Sequence, residues 1–276
     1  MKQLLIKSAL GFAFLGIWVA CNETPIGEYE NPLDPESESY IPPKAQIESG
    51  PENTQVLSKD EIQFSWTGNA PKGQSQFKYI LKGPKEISKD WTTNTQTTLS
   101  HLDDGRYSFQ LLEKYSSGDI QEDTTQRSFT IDAVEGPALR MEPFHLQTEK
   151  DQRFDIRVFA EEVEDLYGAH LSITYNQSYV KWEGIEKNTS CFGLNQDQII
   201  MLDQKDGNQL TVELTILQSE GNQGLSGTDR LFTLSFLSKY RGETYLDFNA
   251  SQCELRNSQN EEISINHLLD CRVIIE

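Results

Sequence analysis

The chain has 276 residues, 43 acidic against 24 basic, and a formal net charge of −19. That length accommodates about two domains of ordinary size. So negative a surface repels phosphate backbones and anionic headgroups alike, which excludes nucleic acid as a partner and leaves charge unable to hold the chain on a membrane. There is no C-x-x-C, and the four histidines (His101, His145, His170 and His267) stand far apart, so neither a metal nor any other cofactor is expected.

Lys2 and Lys7 give a basic start, residues 8–20 are almost wholly apolar, and Trp18-Val19-Ala20-Cys21 closes the run. This is the pattern of a cleaved signal peptide, too short to span hydrocarbon comfortably. It resembles the bacterial lipoprotein signal, in which the cysteine thiol receives diacylglycerol and becomes the first residue of the mature protein. That signal prefers Leu where Trp18 stands, while ordinary signal cleavage after Ala20 would want a small residue there. The resemblance implies a signal over residues 1–20, lipidation at Cys21 and a lipid-anchored place in the cell envelope, at the outer membrane or cell surface. Residues 21–43 are rich in proline and acid and lack hydrophobic period; they are expected to form an extended, flexible tether.

From residue 44 to residue 134 the period is two. Ile62, Phe64 and Trp66 alternate with polar residues, as do Phe77, Tyr79 and Leu81, then Tyr107, Phe109 and Leu111, then Phe129 and Ile131. Short alternating strands between Gly, Asn, Asp and Ser clusters predict an antiparallel β-sandwich with Trp66 in its core. The run Leu102-Asp103-Asp104-Gly105-Arg106-Tyr107 resembles the turn and tyrosine corner of immunoglobulin-like and fibronectin type III-like domains. The resemblance implies an Ig-like sandwich; since a fold confers no activity by itself, its expected role is that of a spacer.

Residues 137–276 carry about nine more predicted strands. RFDIRVF (153–159), LYGAHLSITYN (166–176), YVKWEGI (179–185), QIIML (198–202), QLTVELTIL (209–217), RLFTLSFL (230–237), TYLDF (244–248) and CRVII (271–275) are the clearest. Asp206-Gly207-Asn208 reads as a tight hairpin, and residues 160–166 are the one candidate helix. The fold class is therefore all-β: two sandwiches, the second a larger jelly roll. Of the three cysteines beyond Cys21, Cys253 and Cys271 would close the shorter disulfide loop, with Cys191 equally available as a partner.

Catalytic motifs are lacking: there is no G-x-S-x-G, H-E-x-x-H or phosphate-cradling glycine loop, so no catalytic residue and no enzyme activity is expected. Asp203-Gln204-Lys205-Asp206-Gly207-Asn208 misses the calcium-loop spacing, and Lys205 stands where a ligand oxygen is wanted. Tyr167, Tyr175, Tyr179 and Trp182 invite comparison with a sugar-stacking platform, but aromatics in sandwiches are chiefly core.

The succession F-D-I-R-V-F, G-A-H-L-S-I-T-Y-N, V-K-W-E-G-I, the D-G-N hairpin, Gly224-Leu225-Ser226-Gly227 leading into L-F-T-L-S-F, then T-Y-L-D-F and L-R-N resembles a cohesin domain over residues 137–276. Cohesins are jelly rolls that bind dockerin modules in bacterial surface assemblies. Asn176-Gln177 departs from the Asp-Pro that many of them carry. The resemblance implies a flat partner-binding sheet face, which alternation projects here onto His170, Ser172, Thr174, Thr211, Glu213, Thr215, Tyr245 and Asp247. The function so implied is a membrane-anchored, non-catalytic binding or scaffold protein capturing a dockerin-like protein module. Two alternatives stand beside it: a polysaccharide-binding surface lipoprotein, since jelly rolls often serve as sugar modules, and a structural component of an envelope complex.

Overall fold

The computed structural model describes residues 31–70, 74–193, 198–217 and 224–276. Lys2, Lys7, Trp18 and Cys21, with the whole signal and the start of the tether, lie outside the described residues. Residues 31–41 belong to a unit of their own and are turned. Asn31 Oδ1 accepts from the Leu33 amide at 3.1 Å, Asp34 Oδ1 from the Glu36 amide at 3.0 Å, and the Ile41 amide reaches back to the Pro32 carbonyl at 2.9 Å. The expected extended conformation is thus corrected for these residues, because Asn and Asp side chains capture amides two residues on and fold the backbone locally.

In the unit from Pro42 to Glu276 the regular structure is strand, interrupted by short 3₁₀ turns. The first eight strands are β1 (Gln46–Ser49), β2 (Val56–Leu57), β3 (Ile62–Thr67), β4 (Ser75–Lys82), β5 (Ile87–Thr92), β6 (Gln96–Leu99), β7 (Gly105–Tyr115) and β8 (Thr125–Ile131). They make two sheets, β1-β3-β6 and β2-β8-β7-β4-β5, in which only β2 and β8 run parallel. Alternation explains the layering: Phe64, Trp66, Leu81, Phe109 and Phe129 all turn inward. Phe64 stacks on Phe109 with ring centroids 3.9 Å apart, and Trp66 meets Tyr79 at 5.7 Å. The Tyr107 hydroxyl donates to the Asp103 carbonyl at 3.0 Å, tying the preceding turn to β7. The chain enters over a buried acid, Glu113, which accepts the amides of Lys44 at 2.8 Å and Asn69 at 3.1 Å and the hydroxyl of Ser75.

The remaining strands are β9 (Ala138–Glu142), β10 (His145–Thr148), β11 (Arg153–Tyr175), β12 (Val180–Lys187), β13 (Ile199–Asp206), β14 (Gln209–Ile216), β15 (Leu225–Ser238), β16 (Gly242–Phe248), β17 (Glu254–Asn257), β18 (Glu262–Ile263), β19 (His267–Leu269) and β20 (Cys271–Ile275). One layer runs β10-β20-β16-β11-β14-β13, and β12, β15, β9 and β19 build the other against the first half of β11. Leu171, Ile173, Val212, Leu234, Phe236 and Val273 belong to the one core cluster that fills the sandwich.

Residues 160–166 are strand, which corrects the candidate helix. Glu162 (φ 46°) and Asp165 (φ 56°) are left-handed, and at each the register against β15 slips. Left-handed residues interrupt a right-handed helix but suit β-bulges. The amides they free are taken up by hydroxyls: Thr228 Oγ1 accepts from Glu162 at 3.0 Å and Ser226 Oγ from Asp165 at 3.1 Å. The Asp165 carboxylate accepts from the Ser258 hydroxyl at 2.7 Å and the Gly224 amide at 2.5 Å, and these bonds hold its carboxyl below the ordinary range. A Cβ at Gly224 would lie 2.3 Å from the Asp165 backbone, so only glycine permits that approach.

Cys191, Cys253 and Cys271 are all free, which corrects the expected Cys253–Cys271 pairing. Cys271 turns into the core from β20, whereas Cys253, just before β17, has its Sγ 3.5 Å from the Ser172 carbonyl. Burial pushes the Cys191 thiol up to about 12 and that of Cys271 higher still, so neither is a ready thiolate.

The two sandwiches meet through acids of the turn before β7. Asp104 accepts the amides of Ala133 and Val134 at 3.0 and 3.1 Å, and Asp103 accepts that of Phe144 at 2.8 Å. Arg140 of β9, only 4% exposed, is clasped by Glu142 and Glu161, with its guanidinium 4.2 Å over the Phe159 ring. Arg157 adds a second cation to Glu142 at 3.2 Å. Burial pushes the carboxyls of Asp103, Asp104 and Glu161 up, against the pull of Arg140.

Removing one partner from a buried ion cluster strands the others in a medium of low polarity. Arg140→Met is therefore expected to lower stability by about 3–5 kcal/mol, measured as a reduced urea midpoint. Arg140→Lys should recover only part of the loss, because an ammonium lacks the fork that spans two carboxylates.

Candidate functional face of the second sandwich

Strands β16, β11, β14 and β13 lie side by side, so side chains alternating away from the core share one surface. His170 stands opposite Glu213, with Nδ1 2.6 Å from Oε1. Thr174 stands opposite Asp247, Thr211 and Thr215 flank Glu213 along β14, and Tyr245 lies two residues before Asp247. Seven of the projected residues (His170, Thr174, Thr211, Glu213, Thr215, Tyr245 and Asp247) are brought to this face with at least part of their surface open.

Ser172 is the exception and corrects the projection. It is fully buried; its Oγ donates to Gln252 Oε1 at 3.1 Å and accepts from Gln209 Nε2 at 2.9 Å. The cause is topological. β16 and β17 pair one after the other with the same side of β11, and the 3₁₀ turn between them, Ala250–Gln252, passes over the face at Ser172. Strand alternation assigns a side chain to a face but says nothing about a loop that returns across it.

Two residues were missed. Ile200 and Leu202 of β13 are 44% and 64% exposed and stand opposite Thr215 and Glu213. The signal for them is the unbroken run Ile199-Ile200-Met201-Leu202: a strand with one buried face needs a polar residue at every second position. Ile199 is buried and Met201 packs on the core, which leaves Ile200 and Leu202 as apolar groups on the outer face.

At the other end of the face the Glu243 carboxylate takes both Nε and Nη2 of Arg272, at 3.0 and 2.8 Å, and the Tyr245 hydroxyl at 2.6 Å. Arg272 first, then the Tyr245 hydroxyl, hold the Glu243 carboxyl down at about 2. Burial pushes the Asp247 carboxyl up, with no hydrogen bond from the described residues to oppose it. A groove of about 740 Å³ lies here, bounded by Thr174, Asn176, Asn208, Tyr245 and Asp247. A second recess of about 660 Å³, on the far side of the Ala250–Gln252 turn, includes His170, Thr211 and Glu254.

The other sequence candidates fall elsewhere. Tyr175 is core, while Trp182 belongs to β12 in the opposite layer and packs half-buried on the same core, so the four aromatics make no shared platform. Asp203 to Asn208 is the β13–β14 hairpin, closed at Gly207 with φ 58°. Among the described residues the carboxylates grouped closely enough for a cation are Asp104, Asp132 and Glu161. Asp104 is occupied by two backbone amides and Glu161 by Arg140 and Thr228, which leaves that group poorly suited to an ion.

No protein-family model and no curated protein matches the sequence. Among solved structures, the chain is similar to a non-cellulosomal cohesin from the archaeon Archaeoglobus fulgidus, at 14% identity over 50% of this chain and 91% of that one, with a TM-score of 0.39. A type I cohesin–dockerin complex from Clostridium thermocellum matches at 11% identity over 52% and 96%, with a TM-score of 0.42. The sixth cohesin of Acetivibrio cellulolyticus scaffoldin B, solved in complex with a Cel5 dockerin, matches at 11% identity over 51% and 100%, with a TM-score of 0.43.

A carboxyl whose folded value lies below its unfolded one keeps its bonds above the unfolded value and loses them as pH falls through the folded one. The Glu243–Arg272–Tyr245 arrangement is therefore expected to be complete above about pH 4.5 and to dissolve only towards about pH 2. Carbon-13 NMR titration of the Glu243 carboxyl checks this, and Arg272→Gln should return the midpoint towards the ordinary 4.5.

Proposed function

We propose that the chain is a lipid-anchored, non-catalytic protein of the bacterial cell envelope. Its second sandwich captures a dockerin-like protein module, and its first, an Ig-like domain over residues 44–134, holds the second clear of the membrane. The observation that carries this reading is the exposed apolar pair Ile200 and Leu202 beside the His170–Glu213 pair and the hydroxyls of Thr211 and Thr215. The pair lies on the outermost strand of the sheet, and exposed aliphatic carbon flanked by hydrogen-bonding groups gives a partner helix both an anchor and a register.

Three further features support parts of the reading. The three-on-five strand arrangement and the Tyr107–Asp103 bond suit an Ig-like sandwich. The succession of residues from Phe154 to Asn257 resembles a cohesin. The lipid anchor rests on the leader that ends at Cys21. A dockerin brings calcium in its own loops, so this chain need supply no metal ligand.

Two experiments test it. Leu202→Asp, on an exposed site, is expected to leave stability within about 0.5 kcal/mol while weakening capture of a calcium-loaded dockerin by about 30-fold or more, the effect of losing an apolar anchor and adding a charge. Unchanged affinity in surface plasmon resonance, or no binding to any dockerin encoded alongside this chain, would sink the capture reading. Separately, Cys21→Ala should move the protein from the membrane fraction to the soluble one and abolish metabolic labelling with palmitate.

A further inference from the structure

We infer that the groove at the Tyr245 end of the face is a binding site for a neutral oligosaccharide, separate from the apolar strip on β13. It arises where β11 stops. The pairing of β11 with β16 ends at Tyr175 opposite Leu246, yet β16 begins at Gly242, so Glu243, Thr244 and Tyr245 run on past the last partnered residue. Asn176 to Ser178 and the hairpin residue Asn208 wall the gap, and the Tyr175 amide, donating to the Asn208 carbonyl at 3.0 Å, fixes one wall to the other. The resulting volume of about 740 Å³ falls within the range of small-molecule sites.

The chemistry of the lining selects the ligand class. Tyr245 is 45% exposed, and its hydroxyl is bonded to the carboxylate two residues earlier on the same face. A bond in that direction lays the ring along the strand, and its exposed surface borders the groove. Arg272 grips the same carboxylate through two nitrogens, so the ring is held in place before any ligand arrives. A pyranose offers a matching surface, a flat patch of C–H groups with hydroxyls around its rim. Asp247, half-buried in the groove lining and without a hydrogen bond among the described residues, is an acceptor available to such hydroxyls. The side-chain amides of Gln177 and Asn208 likewise lack partners among the described residues, and each supplies both a donor and an acceptor.

Charge excludes the neighbouring classes. The nearby cations are engaged, Arg272 by Glu243 through two nitrogens and Lys239 by the Gln177 carbonyl at 2.8 Å, and Asp247 together with a net charge of −19 repels phosphates, sulfates and uronates. The apolar strip lies across the sheet on β13, and the turn that buries Ser172 stands between strip and groove. Sugar binding here therefore does not depend on protein capture there.

The test is affinity electrophoresis of the full chain through gels containing soluble xylan, galactomannan, β-glucan, starch or arabinogalactan, with polygalacturonate as the charged control. Retardation by at least one neutral polymer is expected. It should fall about tenfold or more with Tyr245→Ala, from the lost stacking surface, and with Asp247→Ala. Tyr245→Phe, which keeps the ring but frees it from Glu243, should lose less than Tyr245→Ala, and Leu202→Asp nothing, which separates this outcome from that of the capture experiment. Because Tyr245 and Asp247 lie at the surface, melting temperatures unchanged within a few degrees confirm that the variants are folded. Absence of retardation by all five neutral polymers, retardation indifferent to Tyr245→Ala, or stronger binding to polygalacturonate would overturn the proposal.

Discussion

One strand, β11, belongs to both layers of the second sandwich, and three irregularities between its halves, at the left-handed residues Glu162 and Asp165 and again after Leu166, make that sharing possible. Its inward side chains are even-numbered in the first half (Phe154, Ile156, Val158) and odd-numbered in the second (Leu171, Ile173, Tyr175). A regular strand has a strict period of two and cannot change parity, so the chain must insert residues between the halves. Three steps of three residues, Ala160 to Val163, Val163 to Leu166 and Leu166 to Ala169, do this together, and at the first two the hydroxyls of Thr228 and Ser226 satisfy the disturbed backbone. Everything on the outer face depends on the outcome, because β14, β16 and β17 all take their register from the second half of β11.

The contact between the sandwiches is polar where the sandwiches themselves are apolar. Asp103 and Asp104 spend their carboxylates on backbone amides of the β9–β10 turn and of the connecting segment, and Arg140 sits behind them among acids. Such contacts are directional. A hydrophobic contact tolerates sliding, whereas a carboxylate on a particular pair of amides sets an angle. That suits a domain proposed to position its neighbour.

The outer face is divided. The Ala250–Gln252 turn crosses it at Ser172, with Ile200, Leu202 and the His170–Glu213 pair to one side and the Tyr245 groove to the other. The two parts differ in kind: one exposes aliphatic carbon beside a charge pair, and the other exposes one aromatic ring among amides and a free carboxylate. Physical separation by a hydrogen-bonded turn is what allows the two to be assigned different ligands.

Much of this was written in the chain. Alternation at Ile62-Phe64-Trp66 or at Phe154-Ile156-Val158 needs nothing beyond the neighbouring residues to specify a strand and its inward face, since pleating makes side-chain direction a local property. The hairpin at Gly207 and the turn before Tyr107 were legible for the same reason. The run from Ile199 to Leu202 even announced the exposed pair, had its lack of alternation been taken at its word. Other features depend on residues far apart in sequence, and no local pattern carries them. Ser172 is buried by Gln252, Asp165 is held by Gly224 and Ser258, Cys271 faces the core away from any partner thiol, and the groove exists because β16 outruns β11. Strand identity follows from bonds between neighbours, but exposure and concavity follow from where distant segments come to rest.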